Sequence, residues 1–361
     1  MNIAFYHATL PNPRRAKEGG VTYAVHQLAN TLVRRGHALT VYSFDPRPED
    51  ALYNVRQLPL RRWAESTLGR LSITPLLLSG LDLCAFDVMH AHGDDHFVLQ
   101  RPIPWVRTMY GSAKREYASA VRLRRRVSQL ALIPLEGLSS RRADIAVGIS
   151  HDTRLCIPTI DDIVPCGVDL TLYRPSPRSR STAPSILFVG TTGGRKRGDL
   201  LLREFIQRIR PTLPNAELWM VCEPQAAIDG VRWCGKVSEE ELVRLYQQAW
   251  VFCLPSTYEG FGIPYIEALA CGTPVVATPN PGAREILNDG RYGMLTGDDE
   301  LPATLLRLLQ DAEQRRKLAD AGYARAQEYG WDAVAIRYEH VYRRAQSAGT
   351  GNHARAQPGV L

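Results

Sequence analysis

Short runs of β-branched and aromatic residues alternate along this chain with longer stretches of helical spacing. NIAFYHA, at residues 2–8, predicts a strand. From Gly20 to Arg35 the apolar positions Val21, Val25, Leu28 and Leu32 share one helical face, and Gly36 closes the helix. ALTVYSF, DVMHAH and DIAVGIS predict further strands. The rhythm is β-α-β, which predicts an α/β fold with parallel sheet and helices on both faces. At Tyr173–Ser185 the pattern stops: YRPSPRSRSTAPS is Pro-, Ser- and Arg-rich with almost nothing apolar. A linker over 173–184 follows, separating a domain at 1–172 from a second at 185–330. The second repeats the alternation with SILFVG, ELWMVC, VFCLP and PVVAT. A last helix over 331–346 carries Val334, Tyr338, Val341 and Tyr342 as its apolar stripe, and 347–361 reads as a disordered tail.

The stretch STYEGFGIPYIEALACGTPVVAT, residues 256–278, stands out from this pattern. VFCLP before it reads as a buried strand. Pro264 occupies a first helical position, and Gly272 follows the helix end. Residues 259–263 therefore form a loop at a strand's carboxyl end that opens a helix, the place where open parallel sheets bind ligands. Free N–H groups of Phe261, Gly262 and Ile263 suit an anion. Gly260 and Gly262 let a phosphate or sugar approach the backbone. Glu267, one turn into the helix, accepts hydrogen bonds from neighbouring hydroxyls such as a ribose diol, and Glu259 offers a second acceptor from the loop. A helix N-terminus that attracts a glutamate through its dipole is the competing structural explanation.

Composition adds limits. The chain has 361 residues and is 45% hydrophobic, enough for two cores. No apolar run is long enough to span a bilayer. The start MNIAFYHATL predicts a strand and not a secretory leader. Seven cysteines without a CxxC pair then predict reduced thiols in a cytoplasmic protein. The net charge of +7 is concentrated in residues 101–142, with ten basic residues against Glu116 and Glu136. A local basic face favours an acidic partner. Within it Leu123, Val127 and Leu130 form an apolar stripe. A peripheral membrane surface through 114–130, an acidic acceptor and a solvated helix stay open as readings. Sparse interleaved aromatics argue against nucleic acid.

VGTTGGRKRGDLLL follows strand SILF. Gly193 and Gly198 have P-loop spacing, but Asp199–Leu200 replace the Lys–Ser/Thr, which excludes a P-loop ATPase. Arg195, Lys196 and Arg197 on this glycine-rich turn suit a diphosphate. Gly19 and Gly20, after the first strand, permit close approach of a loop to phosphates or acceptor; the absence of GxGxxG there argues against a nicotinamide enzyme. HAHGDDH brings His90, His92 and His96 together with Asp94 and Asp95, open to zinc, packed-histidine or ligand-site readings, and lacks a D-x-D pattern.

E-G-F-G-x-P-x-x-E-A-x-A-x-G-T-P-V-V-A resembles the signature of glycosyltransferase family 4, the retaining GT-B enzymes. EGGVTYAVHQLANTLVRRGHALTVYS, DVMHAHG, VPCGVDLTLYRP and GWDAVAIRYEHVY match it in the same order. The resemblance implies two facing Rossmann-like domains, the last helix crossing back to the first, and catalysis between them without a metal or cofactor. Glu267 would bind the nucleotide ribose and Glu259 the donor sugar. The amides of Gly260, Phe261, Gly262 and Ile263 would line the sugar and diphosphate. His92, preferred over His90, would lie against the donor sugar near the reacting carbon. Two departures stand out: Thr191 where the family has Arg, with Arg195 the candidate replacement, and Cys166 where it has Asn, read as structural. The expected function is transfer of a sugar from a nucleoside-diphosphate donor, on family frequency a UDP-sugar, to an acceptor hydroxyl. An epimerase or hydrolase of related fold, and a non-catalytic sugar or polyanion binder, are the alternatives.

Overall fold

The strands expected from the apolar runs all pair in parallel in the computed structural model, which describes residues 1–12, 20–64, 66–119, 123–176 and 180–353. The chain forms two units, Met1–Gly167 with Trp331–Leu361, and Val168–Gly330. The division falls at Gly167/Val168, so 173–176 and 180–184 belong to the second unit and lead into its first strand.

The first unit holds β1 (Asn2–Tyr6), β2 (Ala38–Ser43), β3 (Asn54–Gln57), β4 (Val88–Ala91), β5 (Trp105–Met109), β6 (Ile145–Gly148) and β7 (Asp162–Ile163). Their order is β3-β2-β1-β4-β5-β6-β7, parallel throughout. The chain spreads outward in both directions from β1 and β4, so the topological switch point lies between them. Ile3, Phe5, Val25, Leu28, Leu32 and Val41 form one core with Val334, Tyr338, Val341 and Tyr342 of the last helix. Each such side chain contributes about 1.5–3 kcal/mol on full burial. That helix therefore completes the first unit although 163 residues of the second unit intervene. Glu339 fastens it through Arg35 (2.7 Å) and His37 (3.1 Å). The helix spans Trp331–His353, so 347–353 are helical and not a disordered tail; buried Ala345 carries the apolar stripe one turn beyond Tyr342. Residues 354–361 of the expected tail lie outside the described residues.

β5 was hidden from the apolar pattern by Arg107. Its guanidinium is largely buried and pairs with Asp95 at 3.0 Å, as does that of Arg101 at 3.3 Å. These two charges belong to the interior and not to a basic surface. Arg115 is paired with Asp152. Cys166 is buried, and burial pushes its thiol up to about 12, as befits a structural position.

The second unit holds β8 (Ser185–Val189), β9 (Glu217–Val221), β10 (Val231–Trp233), β11 (Val251–Leu254), β12 (Val275–Ala277) and β13 (Met294–Leu295). Their order is β10-β9-β8-β11-β12-β13, again parallel, with the switch point between β8 and β11. Among the described residues no helix is long and apolar enough to cross a membrane.

Candidate active site

Two loops leave the carboxyl ends of β8 and β11, on either side of the second switch point. Residues 190–197 follow β8 and residues 255–262 follow β11. They are clasped together: the Thr257 amide donates to the Arg195 carbonyl (2.8 Å), and Arg195 Nη1 donates to the Tyr258 carbonyl (2.8 Å). The carboxylate of Glu259 sits in this clasp. Its Oε1 receives Arg195 Nη1 at 2.7 Å, Lys196 Nζ at 3.3 Å and Ser256 Oγ at 2.9 Å. No partner of Oε2 is found among the described residues. Glu259 is only 5% exposed. Burial alone would raise its pKa, but Lys196, Arg195 and the Ser256 hydroxyl outweigh it and hold the carboxyl below its ordinary value.

Gly262 caps the helix Ile263–Ala270 with φ +97°, and a Cβ there would lie 2.4 Å from the Tyr265 ring. Only glycine fits that turn. Phe261 is buried and meets Tyr329 edge to face. Among the described residues the amides of Phe261, Gly262 and Ile263 find no backbone acceptor, so the loop presents donors at a helix N-terminus. Glu267, half-buried on that helix, accepts from the Tyr246 hydroxyl at 2.9 Å. Tyr246 thus orients the carboxylate from the neighbouring helix Glu239–Gln248.

The three basic residues of 195–197 are not equivalent. Arg195 and Lys196 turn to Glu259. Arg197, with φ +51°, donates to the Pro255 carbonyl (2.7 Å) and to Asp298 (2.6 Å) and ties the two loops to a third. Its geometry is that of a strut. Thr191 closes its own turn on the Gly193 carbonyl at 2.9 Å.

Several supporting residues escaped the sequence pattern. Asn280 caps the helix Pro281–Leu287, and its side-chain amide also donates to the Ser256 carbonyl (3.1 Å). Thr278 reaches the same carbonyl at 2.8 Å. Gly282 donates its amide to the Glu259 carbonyl (2.9 Å), and a Cβ on it would lie 2.3 Å from the Phe261 carbonyl oxygen. The Asn-Pro-Gly run after PVVAT is a helix-start signal that marks this position without revealing its contact.

In the first unit Gly20 opens the helix Gly20–Arg34, and Gly19 lies outside the described residues. His90 is a packed histidine: its nitrogens meet the Tyr342 hydroxyl (2.9 Å) and Thr108 (2.8 Å). Asp95 serves Arg101, Arg107 and Trp105, and His96 meets the Leu71 carbonyl. His92 differs. It is 4% exposed, its Nδ1 meets the Tyr110 hydroxyl at 2.8 Å, and its buried Nε2 has no partner among the described residues. Burial, then the neighbouring His90, His7 and Arg107, keep it neutral far below the usual imidazole pKa.

Two family descriptions match: Glycosyltransferase Family 4 over residues 18–172 and Glycosyl transferases group 1 over residues 183–311. The chain belongs to glycosyltransferase family 4, and its two Rossmann-like sheets are those of the GT-B fold. It is similar to the MMP alpha-(1->4)-mannosyltransferase of Mycolicibacterium hassiacum, 30% identical over 67% of this chain and 59% of that protein. The D-inositol 3-phosphate glycosyltransferase of Frankia alni is 34% identical over 52% of this chain and 53% of its own. The chain thus spans a little over half the length of these two relatives. The D-inositol 3-phosphate glycosyltransferase of Kineococcus radiotolerans is 27% identical over 95% and 94% of the two chains. Among solved structures, sucrose-phosphate synthase from Thermosynechococcus elongatus superposes with a TM-score of 0.77 at 22% identity, covering 96% of this chain and 99% of that one. HepE of Anabaena, in complex with UDP and glucose, gives 0.70 at 17% identity over 95% and 99%.

Proposed function

We propose that this protein is a retaining glycosyltransferase that moves a sugar from a nucleoside-diphosphate donor, UDP-sugars first, to an acceptor hydroxyl. The observation that carries this is Glu259: a buried carboxylate, held ionised by Lys196 and Arg195, on an amide-rich loop beside the second switch point. One of its oxygens is clamped and the other has no partner among the described residues, which suits a sugar hydroxyl. Glu267 takes the ribose hydroxyls, and the amides of Gly260, Phe261, Gly262 and Ile263 take the sugar and diphosphate. HepE, whose structure holds UDP and glucose, supports the choice of donor class.

In this reading the acceptor oxygen bonds to the anomeric carbon on the face from which the diphosphate leaves. The bond from that carbon to the phosphate oxygen breaks, and the acceptor proton passes to the leaving diphosphate. Lys196, Arg195 and the helix amides stabilise the charge that develops there, so no metal is required. Arg195 stands in for the arginine that Thr191 replaces. His92, at the carboxyl end of β4, is kept as the proposed catalytic histidine.

Thermal melting with UDP, GDP, ADP and dTDP, chelator present, tests the donor site. One nucleotide is expected to raise the melting temperature of wild type and not of Glu267→Ala. Absence of any shift in wild type would remove the donor and move the binder alternative forward.

The reading extends to a peripheral membrane contact at the cytoplasmic face. On the helix Leu123–Arg142, Leu123, Val127 and Leu130 are 75%, 61% and 56% exposed, beside exposed Arg124, Arg125 and Arg126. An apolar stripe edged by arginines matches an anionic lipid surface; residues 120–122 of the proposed segment lie outside the described residues. The protein is expected to sediment with vesicles containing phosphatidylglycerol but not with pure phosphatidylcholine, and Leu123→Ser with Val127→Ser to abolish this. No sedimentation with either vesicle would overturn the contact.

A further inference from the structure

The first sheet has its own switch point, between β1 and β4, and two histidines stand at its carboxyl edge. His7 follows β1 and His92 follows β4, in adjacent register: the His92 amide donates to the Tyr6 carbonyl at 3.0 Å. Their rings are nearly perpendicular with centroids 6.4 Å apart. The His7 ring lies beside the His92 main chain, yet its buried Nδ1 makes no hydrogen bond of ordinary geometry among the described residues. The same holds for the buried Nε2 of His92. The other nitrogen of each ring is occupied, His7 Nε2 by Thr22 Oγ1 (3.4 Å) and His92 Nδ1 by Tyr110. Thr22 is in turn held by Thr9 at 2.9 Å. Among the described residues each ring is thus anchored through one nitrogen, while the other, buried, lacks a well-formed hydrogen bond at the sheet edge where open parallel sheets take their ligands.

We propose that His7 is a second substrate-binding residue of the first unit, its Nδ1 and the Nε2 of His92 together gripping a hydroxyl of a sugar or polyol. Both rings are uncharged at neutral pH: burial brings His7 down to about 4 and holds His92 well below its usual value. A neutral imidazole offers either an N–H or a lone pair at its free nitrogen. A hydroxyl donates once and accepts twice, so it satisfies one donating and one accepting nitrogen, or two donating ones. A phosphate or carboxylate oxygen only accepts, and an ammonium group only donates. With one free nitrogen donating and the other accepting, the pair is complementary to a hydroxyl and to neither an anionic oxygen nor an ammonium group. The identity of the molecule that carries the hydroxyl rests on the glycosyl-transfer reading; the hydroxyl chemistry does not.

The test uses the full chain as wild type, His7→Phe and His7→Gln. Melting with UDP and GDP is expected to be alike in all three, which shows that the variants fold and that the second unit still holds nucleotide. Release of nucleoside diphosphate from UDP-glucose and GDP-mannose is then followed with and without myo-inositol or methyl mannoside. His7→Phe is expected to slow sugar consumption about tenfold, the scale of one lost hydrogen bond, and His7→Gln to recover part of it. A loss that is already present without acceptor places the hydroxyl on the donor sugar. A loss seen only with acceptor places it on the acceptor. Wild-type rates in His7→Phe under both conditions would overturn the proposal. A second readout stands apart from turnover. In protein labelled with [15N]histidine, glucose, mannose or myo-inositol is expected to shift the His7 Nδ1 and His92 Nε2 resonances, and His7→Phe to abolish the His92 shift. Resonances unmoved by all three, with and without nucleotide, would overturn the hydroxyl site whatever becomes of the transferase reading.

Discussion

Glu259→Ala is expected to lower sugar transfer by at least about a hundredfold while the protein stays folded. The side chain is 7% exposed and carries Arg195, Lys196 and Ser256 on one oxygen. Its removal takes away the acceptor for the sugar hydroxyl and frees the two cations that it positions. Arg195 is 40% exposed at its side chain and reaches water once released, so the loss of stability stays modest. Glu259→Gln separates charge from shape: it keeps a hydrogen-bonding end of the same length but loosens Lys196, and its rate is expected between those of wild type and Glu259→Ala. The pH profile carries the same signature. The folded carboxyl titrates below its ordinary value. The pair is therefore complete above the unfolded pKa of about 4.3 and is lost as pH falls through the lower folded value. Initial rates of nucleotide release, with melting curves for each variant, decide the matter. Turnover like that of wild type in Glu259→Ala would sink the assignment.

The second large effect is expected from a residue that touches no substrate. Gly282→Ala adds a Cβ that would lie 2.3 Å from the Phe261 carbonyl oxygen and 2.9 Å from that of Glu259. Both obstacles are backbone, so no flexible side chain can swing aside, and the hydrogen bond from the Gly282 N–H to the Glu259 carbonyl is strained with them. Overpacking of this kind costs about 1–3 kcal/mol. The strain falls on the loop that carries Glu259 and the free amides, so transfer is expected to drop at least tenfold even well below the melting temperature, because small misplacements of a reacting group have large rate effects. Gly297→Ala is the control: its Cβ would meet nothing within 4 Å. Equal melting and kcat/KM in the two variants would mean that Gly282 does not set the loop.

Much of the site was legible because it lies in one continuous stretch. The strand, the loop glycines, Pro264 and Glu267 follow each other in the order that a strand-loop-helix turn requires, and each residue type states its backbone role. The β-α-β rhythm was equally readable where strands are purely apolar, as in NIAFY and VFCL. It failed at Trp105–Met109, where Arg107 interrupts the strand with a charge that only its pairing with Asp95 makes tolerable. Counting Arg101 and Arg107 toward a surface face was wrong for the same reason. The end of the last helix was misread because SAGTGNH, residues 347–353, carries two glycines and no large apolar residue to mark a helical face.

By itself the sequence determined the α/β class, the two repeats of strand and helix, the turn that places Glu259 and Glu267 at one strand end, and the family. These depend on residues close together in the chain, where spacing translates directly into geometry. Only the tertiary structure decided how charge is distributed among Arg195, Lys196 and Arg197, because three adjacent cations look alike until Glu259 and Asp298, 64 and 101 positions from Arg195 and Arg197, choose among them. It also separated His92 from His90, which differ in sequence only by two places but in the fold by whether Thr108 and Tyr342 reach their ring. And it brought His7 beside His92 across 85 residues through the parallel pairing of β1 with β4, a proximity set by strand order and register, which no local pattern encodes.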